Sequence, residues 1–229
     1  MLRDQTLEEI SDGKLYRSGD LVKADCQGCS GCSECCRGMD DTVILDPLDV
    51  HMISSNLRKG PGGLLSGTFE LGFSDGIILP HMAMKGPDQS CVFLNAEGRC
   101  TIHPFRPGFC RLFPLGRYYE GDDFYYILQV HECPRPNRTK IKIRKWLEIP
   151  NLKRYEEYVR SWHNYLRDTR ILLSETENEE LFDITNRYII SRFYVQPYDD
   201  NGDFYTQFEE RLSEARKKLE YNIGNQEIK

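Results

Sequence analysis

The feature that most constrains this chain is a run of cysteines, Cys26-Gln-Gly-Cys29-Ser-Gly-Cys32-Ser-Glu-Cys35-Cys36, which places five thiols within eleven residues. No large apolar side chain lies between them, so the stretch cannot build a core of its own. Glycine and serine in the gaps permit positive φ and let backbone N–H groups turn toward sulfur. A two-residue spacing lets thiolates converge on one small centre, whereas a disulfide scaffold spreads its pairs. The chain has nine cysteines, an odd number, the others being Cys91, Cys100, Cys110 and Cys133. The segment Met1–Ile10 carries Asp4, Glu8 and Glu9 and no apolar stretch. That argues against an export signal and points to a reducing cytoplasm, where structural disulfides are rare. The run therefore predicts metal or cluster ligation.

Two metal chemistries fit thiols in this pattern. Zinc takes four ligands in a tetrahedron, commonly from two separated Cys-x-x-Cys knuckles. An iron–sulfur cubane accepts a consecutive Cys-x-x-Cys-x-x-Cys run plus one remote cysteine, often followed by proline. Here the run is consecutive and Cys133 precedes Pro134, which favours a 4Fe-4S cluster, with zinc as the alternative. The side chains of adjacent Cys35 and Cys36 tend to diverge, which splits the pair between two centres or leaves one thiol spare. Nine cysteines suffice for two four-cysteine centres. The Cys-x-x-x-Cys-x-x-Cys spacing of radical S-adenosylmethionine enzymes is absent.

The second half of the constellation is built differently. Cys91-Val-Phe-Leu-Asn-Ala-Glu-Gly-Arg-Cys100 reads as a β-hairpin around Asn95–Gly98, with Leu94 opposite Arg99 and the two cysteines diagonal on one face. The stretch His103–Pro114 contains three prolines and a glycine and reads as a rigid loop. Arg106 and Arg111 flank Cys110, where guanidinium groups would stabilise an anionic cluster. The chain has five histidines but no His-x-x-His pair; His103 and His131 are the best placed of them.

Taken together, Cys29-x-x-Cys32-x-x-Cys35-Cys36, Cys91-x-Phe-Leu, Gly98-Arg99-Cys100-x-Ile and Arg106-Pro107-x-x-Cys110-Arg111-x-Phe-Pro114 resemble the cysteine-cluster family named for its CxxCxxCC motif, whose members are described as zinc- or iron-chelating proteins. The resemblance covers about residues 25–135. It implies a cytoplasmic metal-binding domain with ligands among Cys29, Cys32, Cys35, Cys36, Cys91, Cys100, Cys110 and Cys133. Cys26 extends the run by one further step as an additional cluster-binding thiol. The cysteine domain of the flagellin lysine methylase looks like a distant relative, which adds protein-lysine methylation to the readings.

The rest of the chain predicts an α+β fold: an irregular cysteine-rich domain of short strands over residues 1–150, then a helical extension over 151–229 packed on it. Val43–Leu45 reads as a strand leading into an N-cap at Asp46, Pro47 at the first helical position and a helix to about Leu57. Gly60–Gly63 reads as a turn. Ile77–Met84, Tyr125–Val130 and Lys140–Arg144 read as strands. From Asn151 the period is helical, with Leu152, Tyr155, Val159, Trp162, Leu166 and Leu173 in one stripe. Further helices are expected over 177–194 and 203–221. No apolar run is long enough to span a membrane.

Charge is uneven. The whole chain carries −6, yet residues 135–173 hold 11 basic and 4 acidic groups, a net of +7. The overall balance argues against a general nucleic-acid binder. The basic segment 135–145 suits a solvated face or an acidic protein partner. Three functional readings follow: an iron–sulfur protein with one cluster or two, a zinc-stapled interaction module, and a lysine methylase-like enzyme.

Overall fold

Strand pairing among the described residues never extends beyond two strands. The computed structural model of the chain describes residues 6–26, 32–65, 67–176 and 178–226. A short helical turn, α1 (Leu7–Ile10), precedes strand β1 (Leu21–Asp25), and a 3-10 turn at Glu34–Cys36 follows. Helices α2 (Pro47–Leu57) and α3 (Pro61–Leu64) lead into hairpin β2 (Phe69–Ser74) and β3 (Ile77–Met82), then the small ladder β4 (Met84–Lys85) and β5 (Ser90–Cys91). A second 3-10 turn, His103–Phe105, precedes α4 (Gly108–Leu112), and β6 (Leu115–Glu120) pairs with β7 (Asp123–Leu128). Strand β8 (Thr139–Lys142) returns to pair antiparallel with β1 and runs into α5 (Ile143–Leu147). Helices α6 (Leu152–Glu175), α7 (Glu179–Ile189) and α8 (Phe204–Gln226) complete the chain, with a π-helical turn at Ile190–Val195 continuing α7. The fold is α+β with a helical C-terminal part, as the sequence predicts.

Local chemistry explains the best-defined start of a helix. The Asp46 carboxylate accepts from Asp49 N–H at 2.9 Å, Asp49 accepts from Asp46 N–H at 3.1 Å, and Pro47 sits at the first helical position. This reciprocal cap satisfies two donors that a helix end leaves orphaned. The core runs continuously from the ladders into the helices. Val22, Leu45, Ile53, Phe69 and Leu115 share it with Tyr155, Trp162, Phe193 and Phe208. Trp162 is tilted on Phe193 at 4.8 Å, and Phe208 meets Tyr158 edge-on at 4.6 Å, geometries that aromatic quadrupoles favour. No helix among the described residues is long and apolar enough to cross a membrane.

Several expectations need correction. Val43–Leu45 forms only a one-residue bridge, Ile44 to His81. The segment after Gly60 is the short helix α3 instead of a turn, because Pro61 supplies a preset φ at its first position. The loop expected over His103–Pro114 contains a 3-10 turn and helix α4, since Pro104 sits in the first turn of one, Pro107 caps the start of the other and Pro114 lies beyond its end. In the 91–100 hairpin Leu94 pairs with Cys100, one residue away from the expected Arg99, because Asn95 N–H bonds Arg99 C=O and closes a wider turn. The strand expected over Lys140–Arg144 stops at Lys142, where α5 takes over. On α6 the buried stripe is Tyr155, Tyr158, Val159, Trp162, Tyr165, Thr169 and Leu172, with Leu152, Leu166 and Leu173 only half-buried. Tyrosines, apolar in body and polar at one tip, hold positions that a leucine count assigned elsewhere.

Candidate metal centre

Three separate segments carry cysteines to one place, and backbone pairing brings them there. Arg37, the residue after Cys36, forms a β-bridge with Ser90, the residue before Cys91. Gly38 N–H bonds Gln89 C=O at 2.9 Å, and Arg37 Nη1 donates to Ser90 Oγ at 2.7 Å while lying 3.6 Å from the Asp88 carboxylate. The 3-10 turn bearing Cys35 and Cys36 is thereby laid beside β5. The Leu94–Cys100 bridge and the Thr101 N–H to Phe93 C=O bond at 2.9 Å fold Cys100 back toward Cys91.

Cys110 arrives by another route. It lies in α4, whose first residue, Gly108, donates its N–H to Asp49 Oδ1 at 2.7 Å. Asp49 belongs to the capping box of α2, so one carboxylate both closes that helix and anchors the turn that bears Cys110. The approach is tight. A Cβ on Gly108 would lie 2.3 Å from the Tyr155 hydroxyl of α6, so only glycine fits. Tyr155 in turn accepts from Arg117 Nη2 at 2.9 Å.

Burial and neighbouring thiols act on the ionisation of Cys35, Cys91, Cys100 and Cys110. The Cys35 thiol is pushed up chiefly by its hydrogen bond with Cys36 and then by burial, with Arg106 pulling the other way. Adjacent thiols expected to diverge thus meet, because the 3-10 turn curls them together. Burial pushes Cys91 up against a donated Phe93 N–H, and Cys100 up against a donated Ile102 N–H and the Arg106 charge. Cys110 is pushed well above the ordinary thiol range, by burial and then by Cys35, Cys91, Asp49 and Cys100. The two N–H groups each come from the residue two beyond the cysteine. Such donors stabilise a thiolate once a metal has displaced its proton. Arg106 Nη1 lies 2.9 Å from His103 Nδ1, and burial followed by the Arg106 charge depresses that imidazole.

The remaining expected residues fall as follows. All eight described cysteines are half-buried. Cys32 lies two residues before the Glu34–Cys36 turn, with Ser33 between them. Cys26 follows the last residue of β1, and Cys133 lies in the loop before β8; since Asp25 pairs with Thr139, the chain enters β8 at the end where it leaves β1. Cys29 lies outside the described residues. Among the described residues no group of three or more His, Cys, Asp or Glu side chains is spaced to hold a single metal ion. His131 is exposed, and His163 stacks on Tyr119 with centroids 3.4 Å apart. Sequence reasoning missed Asp49, Tyr155 and the Arg37–Ser90 bridge. The Asp46-Pro47-x-Asp49 cap was legible, whereas no local signal announces which distant N–H that carboxylate will also hold.

No curated protein and no solved structure matches the chain. Residues 28–134 match the CxxCxxCC family model, described as "Putative zinc- or iron-chelating domain", and this span contains every cysteine except Cys26. Just under half of the chain is therefore similar to a CxxCxxCC zinc- or iron-chelating domain.

Proposed function

We propose that this is a cytoplasmic iron–sulfur protein whose cysteines hold a 4Fe-4S cluster, or two. The observation that carries the reading is the backbone pairing that lays the Cys35–Cys36 turn beside Cys91 and folds Cys100 back toward it, Arg37 with Ser90 and Leu94 with Cys100. The donor set fits the group: soft sulfur ligands from three segments, N–H groups aimed at two of them, and a guanidinium to offset the charge of an anionic cluster. Cys29, Cys32, Cys36 and Cys133 supply the further ligands, with Cys26 as an added thiol. When bound, a cubane supplies one-electron redox capacity. The protein's own contribution is to hold the thiols in register and shield them, with the Phe93 and Ile102 N–H groups and Arg106 offsetting part of the cost that burial adds to deprotonation. Four thiolates fill a cubane's coordination, so the centre serves electron transfer or structural closure and leaves no open position for substrate.

Chain purified without oxygen and without added zinc tests this. Iron with acid-labile sulfide and a brown visible spectrum is the expected result. Stoichiometric zinc, no sulfide and a colourless protein would replace it with a zinc-stapled module.

A further inference from the structure

We propose that the outer face of the β1–β8 ladder, with the adjoining turn of α5, is a docking surface for an acidic protein partner. On β1, Val22 and Ala24 are buried while Leu21 and Lys23 face outward. The register sets Leu21 opposite Lys142 and Val22 opposite Ile141. Leu21 and its partner Lys142 therefore share a face, and although the register shifts between Val22 and Asp25, Lys23 and Lys140 are both exposed beside them. Arg144 and Lys145 continue it on α5, whose Ile143 and Leu147 are buried.

What marks this face is the clustering of uncompensated charge. Several arginines elsewhere on the surface sit against carboxylates: Arg17 and Arg160 on Asp123, Arg37 on Asp88, Arg154 on Asp203, Arg167 on Asp122 and Arg192 on Glu214. Lys23, Lys140, Lys142, Arg144 and Lys145 make no ion pair among the described residues. The acidic groups near the face are already engaged. Asp20 accepts from Arg17 N–H at 2.7 Å, and Asp25 accepts from Thr139 Oγ1 at 3.2 Å. Like charges held together without partners repel, and an acidic surface relieves that cost on contact.

Leu21, 54% exposed, is paired with Lys142 and lies two residues from Lys23. An apolar point within a charged rim is the anatomy of a protein contact. The face is small, two strands of four or five residues, and carries no aromatic platform for bases. The chain's net charge of −6 would repel a long polyanion beyond this patch. The position is also telling. β1 runs directly into Cys26, and α5 holds the frame of the cysteine group, since Trp146 Nε1 donates to Leu112 C=O at 3.4 Å, two residues beyond Cys110. A partner seated here rests against the support of α4.

The test uses full-length protein purified without oxygen and a fluorescent peptide of alternating Glu and Leu, read by anisotropy at low salt. Oligo-dT and phosphatidylserine vesicles serve as competing probes. The triple variants K23E/K140E/K142E and K23Q/K140Q/K142Q should each weaken peptide binding by about tenfold or more. The control K85E/K217E should change it by less than about twofold, and carbodiimide cross-links from peptide glutamates should map to Lys23, Lys140 and Lys142. Equal loss in the control, cross-links at other lysines, or tighter binding of oligo-dT or vesicles would overturn the proposal. The uncharged triple variant keeps the test valid should charge reversal unfold the ladder. None of these readouts depends on which metal the cysteines hold.

Discussion

Asp49 on α2 holds the N–H of Gly108 at 2.7 Å, a bond that spans 59 residues and ties the cap of one helix to the start of another. Two residues further on is Cys110, so the position of a thiol is set by a carboxylate that touches no sulfur donor directly. On the opposite side Tyr155 closes against Gly108, and the glycine is held between the two.

The first prediction concerns that clamp. Gly108→Ala places a methyl group on the Tyr155 hydroxyl and should cost about 1–3 kcal/mol, as overpacking does, with reduced metal content. Tyr155→Phe removes the offending oxygen, and the ring carbon then left is 3.5 Å from the new Cβ, an ordinary contact. The penalty for Gly108→Ala should therefore shrink in the Tyr155→Phe background. A double-mutant cycle by urea unfolding measures this, and equal penalties in both backgrounds would refute the clamp.

The second follows from the charge on Asp49. Burial, then the neighbouring Asp46, raise its carboxyl well above the ordinary range. A raised carboxyl contributes stability that is full below the unfolded value, near 4, and is lost as pH rises through the folded value. Asp49→Asn lacks that loss while keeping an acceptor for Gly108. Its stability relative to wild type should therefore improve from about pH 4 to pH 7, whereas Asp49→Ala, which strands the Gly108 N–H, should be worse at both by about 1–3 kcal/mol. Urea midpoints at the two pH values check the slope.

His163 responds in the opposite direction. Burial, followed by Arg170 and Arg167, lowers its pKa from 6.5 to about 4, and the neutral ring lies flat on Tyr119. A depressed imidazole contributes stability that is present above 6.5 and lost as pH falls toward the folded value. Wild type should lose roughly 1–2 kcal/mol across this window, allowing for the ring's partial exposure. His163→Phe should not. Thermal melts at pH 7 and pH 4.5 compare the two, and parallel losses would show that other groups dominate.

The fourth links metal to folding. Cys110→Ser should lower metal content and melting temperature together, because ligation closes long loops. Chelation of wild type should reproduce the same drop. A variant that keeps both at wild-type level would show that Cys110 is not a ligand.

Elements that rest on local chemistry were legible. Asp46-Pro47 announced α2, the change of period at Asn151 announced α6, and the cysteine run announced the chemistry. Elements that rest on distant pairing were not. β1 contains Lys23 and Asp25 and is a strand because β8, more than a hundred residues later, supplies its hydrogen bonds. The Leu94–Cys100 register escaped for a related reason, since a four-residue turn can close in two ways that differ by one residue. Arg37 and Ser90 carry no signal of their own, yet their bridge lays Cys35 beside Cys91. Propensity sees neighbours in sequence; the centre is assembled from neighbours in space.

The three-segment origin of the cysteine group has a consequence for synthesis. Cys35 and Cys110 are 75 residues apart (110 − 35), so at about 5–20 residues per second roughly 4–15 s separate their appearance on the ribosome. The early run is therefore made long before its later partners, with its thiols open to oxidation or to whatever soft metal is at hand. Correct loading in the cell falls after translation of the Cys110 segment, and the competing event is premature capture of the nascent Cys-x-x-Cys run.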